Sequence, residues 1–90
     1  MSTSAGEKVP LPTVNEVEGL EKTEDLVSFL RTQRLRLEDK HFNVFYEQEV
    51  DGEAFLRLNV DKLIAHPYKL PGGPAEKISG LIEKIKGEGQ

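Results

Sequence analysis

The chain of 90 residues has no cysteine and no tryptophan, and only 7% of its residues are aromatic. Without cysteine it has neither a disulfide framework nor a thiolate zinc site, which fits a reducing compartment. No run of about 18 apolar residues is present, so no segment is predicted to span a membrane. The N-terminal sequence also lacks the apolar core of a secretory signal and the arginines of a transit peptide. We therefore expect a cytoplasmic or nuclear protein.

Recognisable catalytic and metal-binding motifs are equally scarce. The two histidines, His41 and His66, are far apart and stand in no motif, and His41 is expected to be a surface or edge residue. Gly72-Gly73 is not followed by the Lys-Ser/Thr of a phosphate-binding loop, and the acids of residues 47–53 lack the spacing of an EF-hand. We expect no catalytic residue, no metal, no cofactor and no small-molecule substrate. The sequence therefore predicts that the chain is not an enzyme.

What the chain does contain is an ordinary globular composition, 37% apolar and 31% charged, of a length that allows one domain at most. Its net charge of −4 argues against general affinity for nucleic acid or anionic lipid. The charge is unevenly spread, because residues 1–30 and 41–61 each carry −4, whereas 31–40 and 62–90 each carry +2. An acidic middle followed by a more basic end suggests two surfaces of opposite charge.

The most periodic stretch is Pro74–Lys86, near the C-terminus. Branched apolar residues recur there with the i, i+3, i+4, i+7 spacing of a helix stripe, at Ile78, Leu81, Ile82 and Ile85. Pro74 suits the first helical position and Gly87 suits a left-handed stop. This segment is predicted to be the longest helix, against which the other apolar segments pack.

Four shorter helices are predicted before it. Thr23 is expected to cap the first, which ends between residues 31 and 34, and the second covers residues 38–48. Its Phe42, Phe45 and Tyr46 share one face, as core and rim residues.

The third and fourth helices are short. The third follows Asp51 as a cap and Gly52 as a tight entry, and the fourth follows Asn59 and stops at Pro67, with Leu63 and Ile64 pointing inward. No segment alternates as a strand. The sequence thus predicts an all-α, compact five-helix bundle at residues 22–87, after a disordered leader at 1–21 and before a tail at 88–90.

The order of motifs from residue 26 to residue 85 resembles a sterile alpha motif (SAM) domain. An acid, an aliphatic residue and Phe-Leu occur in residues 25–30, and EVDGEAFLRL at 49–58 is similar to the central family motif. Asp-Lys-Leu at 61–63 resembles the family's Glu-Asp-Leu motif, and Leu-Pro-Gly-Gly-Pro at 70–74 resembles the family's entry to the last helix.

The resemblance implies a scaffolding or signalling module that binds itself or another SAM domain head to tail, and so oligomerises. The acidic side of such a contact is the mid-loop surface, here Glu47, Glu49, Asp51, Glu53 and Asp61. The other side is the end-helix surface, here Lys69, Leu70, Gly72, Gly73, Pro74, Lys77 and Lys84. A helix N-terminus offers free N–H groups and partial positive charge to such acids.

Two alternatives stay open from the sequence. The domain could be monomeric and bind through another surface. It could also bind RNA, as some SAM domains do through basic residues near the start of the last helix. This chain also has a local basic cluster at Arg31, Arg34, Arg36 and Lys40. The negative net charge and the lack of a basic residue at Ala75 or Glu76 count against RNA binding.

Overall fold

The computed structural model describes residues 11–88, and within that range the chain forms α-helices and no strand. The helices are α1 Val14–Glu18, α2 Thr23–Thr32, α3 Asp39–Glu47, α4 Gly52–Leu56, α5 Val60–Ile64 and α6 Gly72–Glu88. The predicted all-α class is confirmed, and α6, with 17 residues, is the longest helix, as the sequence predicted. The helix count differs, because α1 precedes the five expected helices.

The core forms where α6 packs against α5 and α4, and where α2 packs against α3. The apolar stripe of α6 is buried along its whole length, from Ala75 to Ile85. On the other side of the core, the rings of Phe45 and Phe55 meet edge to face, with centroids 6.3 Å apart and planes at 72°. Each short helix is thus stabilised by the apolar side chains it buries rather than by its own length.

Helix α1 occupies part of the segment that the sequence placed in a disordered leader. Thr13 and Glu16 form a reciprocal capping box, with N···O distances of 2.8 and 3.1 Å between each backbone N–H and the other side chain. Val17 is completely buried in the core. The disordered assignment is therefore wrong for these residues, because tertiary packing orders a helix too short to show a period. Residues 1–10 of the predicted leader lie outside the described range.

Gly52 is the point at which α1 meets α4. A Cβ atom built on Gly52 would lie 1.7 Å from the carbonyl oxygen of Val17, which no side chain tolerates. The Gly52 N–H donates to the carbonyl of Leu20 at 2.8 Å. Since no glycine of the described chain has a positive φ, the close approach of α1, rather than a special turn, requires glycine here.

The helix ends agree with the sequence in some places and differ in others. Asp51 and Asn59 cap α4 and α5 as predicted, each accepting from a backbone N–H at 2.9 Å. The predicted cap at Thr23 is wrong, because Lys22 holds the cap position of α2 and makes no side-chain cap bond. Helix α6 begins two residues before Pro74 and continues through Gly87. Pro74 is tolerated because the first turn needs no N–H donors inside the helix.

Two side chains lie on a different side from the one predicted. His41 is buried, 8% exposed, rather than at the surface, because its Nδ1 accepts from the Glu38 N–H at 3.0 Å and so helps cap α3. Ile64 is 46% exposed rather than inward, because the neighbouring Leu63 takes the one fully buried position of α5. Tyr46, 45% exposed, lies at the rim of the core as expected.

Candidate functional site

The five acids of the mid-loop surface are not equivalent in the folded chain. Glu47, Glu49 and Asp61 are exposed and form no ion pair within residues 11–88. Glu53 pairs with Arg57 one turn along α4, at 3.1 Å, and both side chains are mostly exposed. The half-buried Asp51 is committed to capping α4. Three of the five acids therefore present a carboxylate that no described cation neutralises.

Glu49 is held in an unusual backbone conformation just after α3. Its φ of 54° lies in the left-handed region. The Val50 N–H donates to the carbonyl of Phe45 at 3.0 Å and the Glu49 N–H donates to that of Tyr46 at 3.2 Å, which is a Schellman motif. Glycine is favoured at this position, so a glutamate here costs backbone free energy. The motif fixes the direction in which the Glu49 side chain leaves the helix.

An open groove of about 470 Å³ lies beside Asp61. Its lining is Ala54, Leu58, Ala65, Pro67 and Tyr68, together with the polar Arg57, Asp61, Lys62 and His66. The groove joins the end of α4, the outer face of α5 and the turn after α5. Sequence reasoning did not find it, because its walls come from three segments that only the tertiary fold brings together.

The opposite candidate surface is the N-terminus of α6. Because Pro71 and Pro74 have no N–H and the Ala75 N–H donates to the carbonyl of Pro71 at 3.0 Å, Gly72 and Gly73 carry the remaining donors of the first turn. Within residues 11–88 no side chain accepts from either glycine. Both glycines are exposed, with no atom within 4 Å of a Cβ built on them, so a partner can approach the backbone closely.

The lysines of the end-helix surface lie just before α6 and along it. Lys69, Lys77 and Lys84 are all exposed and form no ion pair in the described part of the chain. Lys77 lies four residues after Gly73 on the same stripe, whereas Lys84 lies about 18 Å along the axis from Gly72. A small contact at the helix entry therefore includes Lys77 and leaves Lys84 at its edge.

Two other residues of the predicted end-helix surface expose little of their side chains to a partner. Leu70 is only 4% exposed, because it fills the core between α5 and α6. Its N–H also donates to the carbonyl of Leu63 at 2.9 Å. Pro74 is half-buried. The exposed part of this surface therefore consists of backbone at the glycines and of lysine side chains.

Among residues 11–88 no group of three or more His, Cys, Asp or Glu side chains is placed to hold a metal ion. Over the same residues no helix has both the length and the apolar character needed to cross a membrane.

Comparison with known protein families finds a match. A family model described as a SAM-like domain matches residues 1–84. Among curated proteins and among solved structures, none matches the chain significantly.

Proposed function

Because the chain belongs to the SAM-like domain family, whose members generally mediate protein interactions, we propose that it binds itself or another SAM domain through two surfaces. The resemblance found in the sequence is confirmed by the family match. In the proposed contact, an acidic residue of the mid-loop surface meets the N-terminus of α6 in the next molecule. Members of the family are typically non-catalytic, and the proposed contact needs no catalytic group.

The observation that carries the proposal is the N-terminus of α6, where no described side chain accepts a hydrogen bond from the N–H groups of Gly72 and Gly73. A helix of 17 residues presents partial positive charge at this end, and its first turn contains no acidic side chain to neutralise it. The N–H groups of Gly72 and Gly73 are suited to bind a small acceptor such as a carboxylate. Lys69 and Lys77 add unpaired positive charge beside them.

The acidic partner of this helix end is drawn from the three unpaired carboxylates. Glu49 is the strongest candidate, because its backbone is fixed and its side chain is exposed. Asp61 follows, since it stands at the rim of a groove with apolar walls that a partner's Pro71 and Pro74 could cover. Opposite charges on the two surfaces steer the encounter and set its orientation. Since the surfaces differ, repeated contacts form an open chain unless the rotation closes a ring.

Charge reversal on each surface tests this proposal. Glu49→Lys with Asp61→Lys removes the acidic side, and Lys69→Glu with Lys77→Glu removes the basic side. The native chain should show a sedimentation coefficient that increases with concentration, and each double variant should lose that increase. When the two variants are mixed, each retains one intact surface, so a 1:1 dimer should form that grows no further.

Glu24→Lys is the control, because it reverses an exposed acid in the first turn of α2 that belongs to neither surface. Circular dichroism checks that all variants stay folded. Unchanged sedimentation in both double variants would contradict the two-surface contact. The same loss in the Glu24→Lys variant would show that net charge, and not the surfaces, governs association.

A further inference from the structure

The loop between α2 and α3 holds two arginines in a backbone conformation that arginine rarely adopts. Arg34 has a φ of 56° and Arg36 a φ of 60°, both in the left-handed region. Only a few per cent of non-glycine residues lie there, with asparagine, aspartate and histidine enriched several-fold among them. The backbone conformation of these two residues therefore lowers the free energy of unfolding. Strain of this kind is often found at binding sites.

The loop is anchored, and it turns both arginines outward. Exposure alternates along it, because Arg34 and Arg36 are exposed while Leu35 and Leu37 are half-buried. Both leucines pack against the hydrophobic core. Both arginines are therefore exposed on a loop whose two leucines fix it to the domain.

The neighbouring cations are already occupied. The Arg31 guanidinium lies 4.5 Å from the centre of the Phe42 ring and 3.2 Å from the Asp39 carboxylate, which ties the end of α2 to the start of α3. Lys40 lies 3.8 Å from Glu38. Within residues 11–88 Arg34 and Arg36 have no such partner. Of the basic cluster seen in the sequence, Arg34 and Arg36 are the two side chains without an acidic or aromatic partner among residues 11–88.

We propose that Arg34 and Arg36 form a third interaction surface, which binds an acidic segment of a partner protein. Each guanidinium presents a planar fork that matches one carboxylate, so two arginines suit two neighbouring acidic side chains. A nucleic acid fits less well, because its affinity depends on many phosphate contacts and this loop offers two free cations beside Glu38 and Asp39. The surface is separate from the mid-loop and end-helix surfaces and does not rest on them.

The test uses the whole chain and a fluorescein-labelled hexaglutamate peptide as the probe, with binding measured by anisotropy at low salt. Arg34→Gly and Arg36→Gly should each lower affinity about threefold, and together about tenfold, as expected for exposed ion pairs. Each should also raise Tm by about 4–8 °C, because glycine relieves the left-handed strain in a domain of this size. Each glycine variant is therefore expected to have a higher Tm than the native chain and a lower affinity for the peptide.

Two further sets of variants separate charge from stability. Arg34→Gln and Arg36→Gln remove the charge and keep the strained backbone, so they should weaken binding without raising Tm. Lys22→Ser removes one cation about 15 Å away, at the other end of α2, and supplies a side-chain cap that Lys22 lacks. It should raise Tm and leave peptide affinity unchanged.

The proposal is overturned if the glycine variants raise Tm but bind the peptide as tightly as the native chain. It is also overturned if Lys22→Ser weakens binding as much as the arginine variants, because net charge alone would then explain the result. Tighter binding of a single-stranded oligonucleotide of equal charge, lost in the same arginine variants, would make the loop a nucleic-acid surface instead. Sedimentation of the arginine variants should match that of the native chain.

Discussion

At the scale of single residues, Gly52 and Glu49 show how a backbone position constrains the side chain it carries. Both belong to the central family motif, yet the constraint differs. Gly52 has no room for a Cβ atom, whereas Glu49 has room but an unfavourable φ. One position therefore tolerates only glycine, and the other carries a side chain where glycine would be more stable.

Gly52→Ala should destabilise the protein by about 1–3 kcal/mol, as overpacked sites do, because the added methyl group collides with the carbonyl of Val17. Urea unfolding followed by circular dichroism measures the effect. Gly80→Ala is the control, since Gly80 lies inside α6 with nothing within 4 Å of its Cβ position. Alanine there should stabilise by about 0.5–1 kcal/mol. Equal stability of the Gly52→Ala and native proteins would refute the close contact of α1 with α4.

Glu49→Gly should have the opposite effect and stabilise the protein by about 1 kcal/mol, because glycine adopts the left-handed conformation without strain. The same variant should associate more weakly, since it also removes a carboxylate of the proposed contact. Gln48→Gly, one residue earlier at a φ of −95°, is the control and should not stabilise. A Glu49→Gly protein no more stable than the native one would show that Glu49 carries no strain.

At the scale of helices, the C-terminus of the short helix α4 is held by two lysines from other elements. The Lys62 Nζ donates to the carbonyl of Arg57 at 3.1 Å, and the Lys86 Nζ donates to that of Leu56 at 3.2 Å. Cations at a helix C-terminus satisfy free carbonyls and offset the helix dipole. Lys86 also joins α4 to the last turn of α6, thirty residues away in sequence.

Lys86→Met should therefore destabilise the protein by about 1 kcal/mol, because methionine keeps much of the apolar stem and loses the charged hydrogen bond. Lys84→Met, two residues earlier at an exposed position, should change stability by less than about 0.5 kcal/mol. Thermal unfolding of the two variants side by side measures the difference. If both variants melt at the same temperature, the bond from Lys86 does not stabilise α4.

The sequence predicted the helices with a strong apolar period and missed the element without one. Helix α6 was evident because its branched residues repeat over about two turns, and α2 and α3 because each shows a buried stripe. Helix α1 has one buried residue, Val17, in five, so nothing in its local pattern distinguishes it from a loop. Helix α1 is ordered by its close contact with the backbone of Gly52, where the absence of a side chain leaves room for it. This contact is tertiary, so the local sequence of α1 does not indicate it.

The candidate surfaces could be located from the sequence only as far as charge allows. The family resemblance and the uneven charge predicted the two surfaces, but not which of their side chains already have partners within the chain. The cap at Asp51 was predicted, but the pairing of Glu53 with Arg57 and the burial of Leu70 emerge only in the folded chain. The left-handed backbone at Arg34 and Arg36 likewise follows from how the loop spans α2 and α3, and neither residue type signals it.

At the scale of the whole molecule, α1 makes the folded unit larger than the segment from residue 22 that the sequence delimited. A chain of residues 21–90 should unfold at lower urea concentration than one of residues 11–90, because burial of Val17 alone contributes about 1.5–3 kcal/mol. Equal midpoints would show that α1 adds nothing to stability. A chain of residues 11–90 with Val17→Ala should fall between the two, since it keeps the helix and loses part of the buried side chain.

Pro71 and Pro74 have no N–H, so among the described residues the first turn of α6 offers two free donors, at Gly72 and Gly73. In the proposed contact this sets how many acidic residues the helix end can bind. Two N–H donors are the number that the two oxygens of one carboxylate fill, so a single acidic residue saturates the end of α6. Each molecule then has one successor and one predecessor. Assemblies of this domain would be unbranched threads whose length follows protein concentration, and a partner that occupies only the helix end would terminate them.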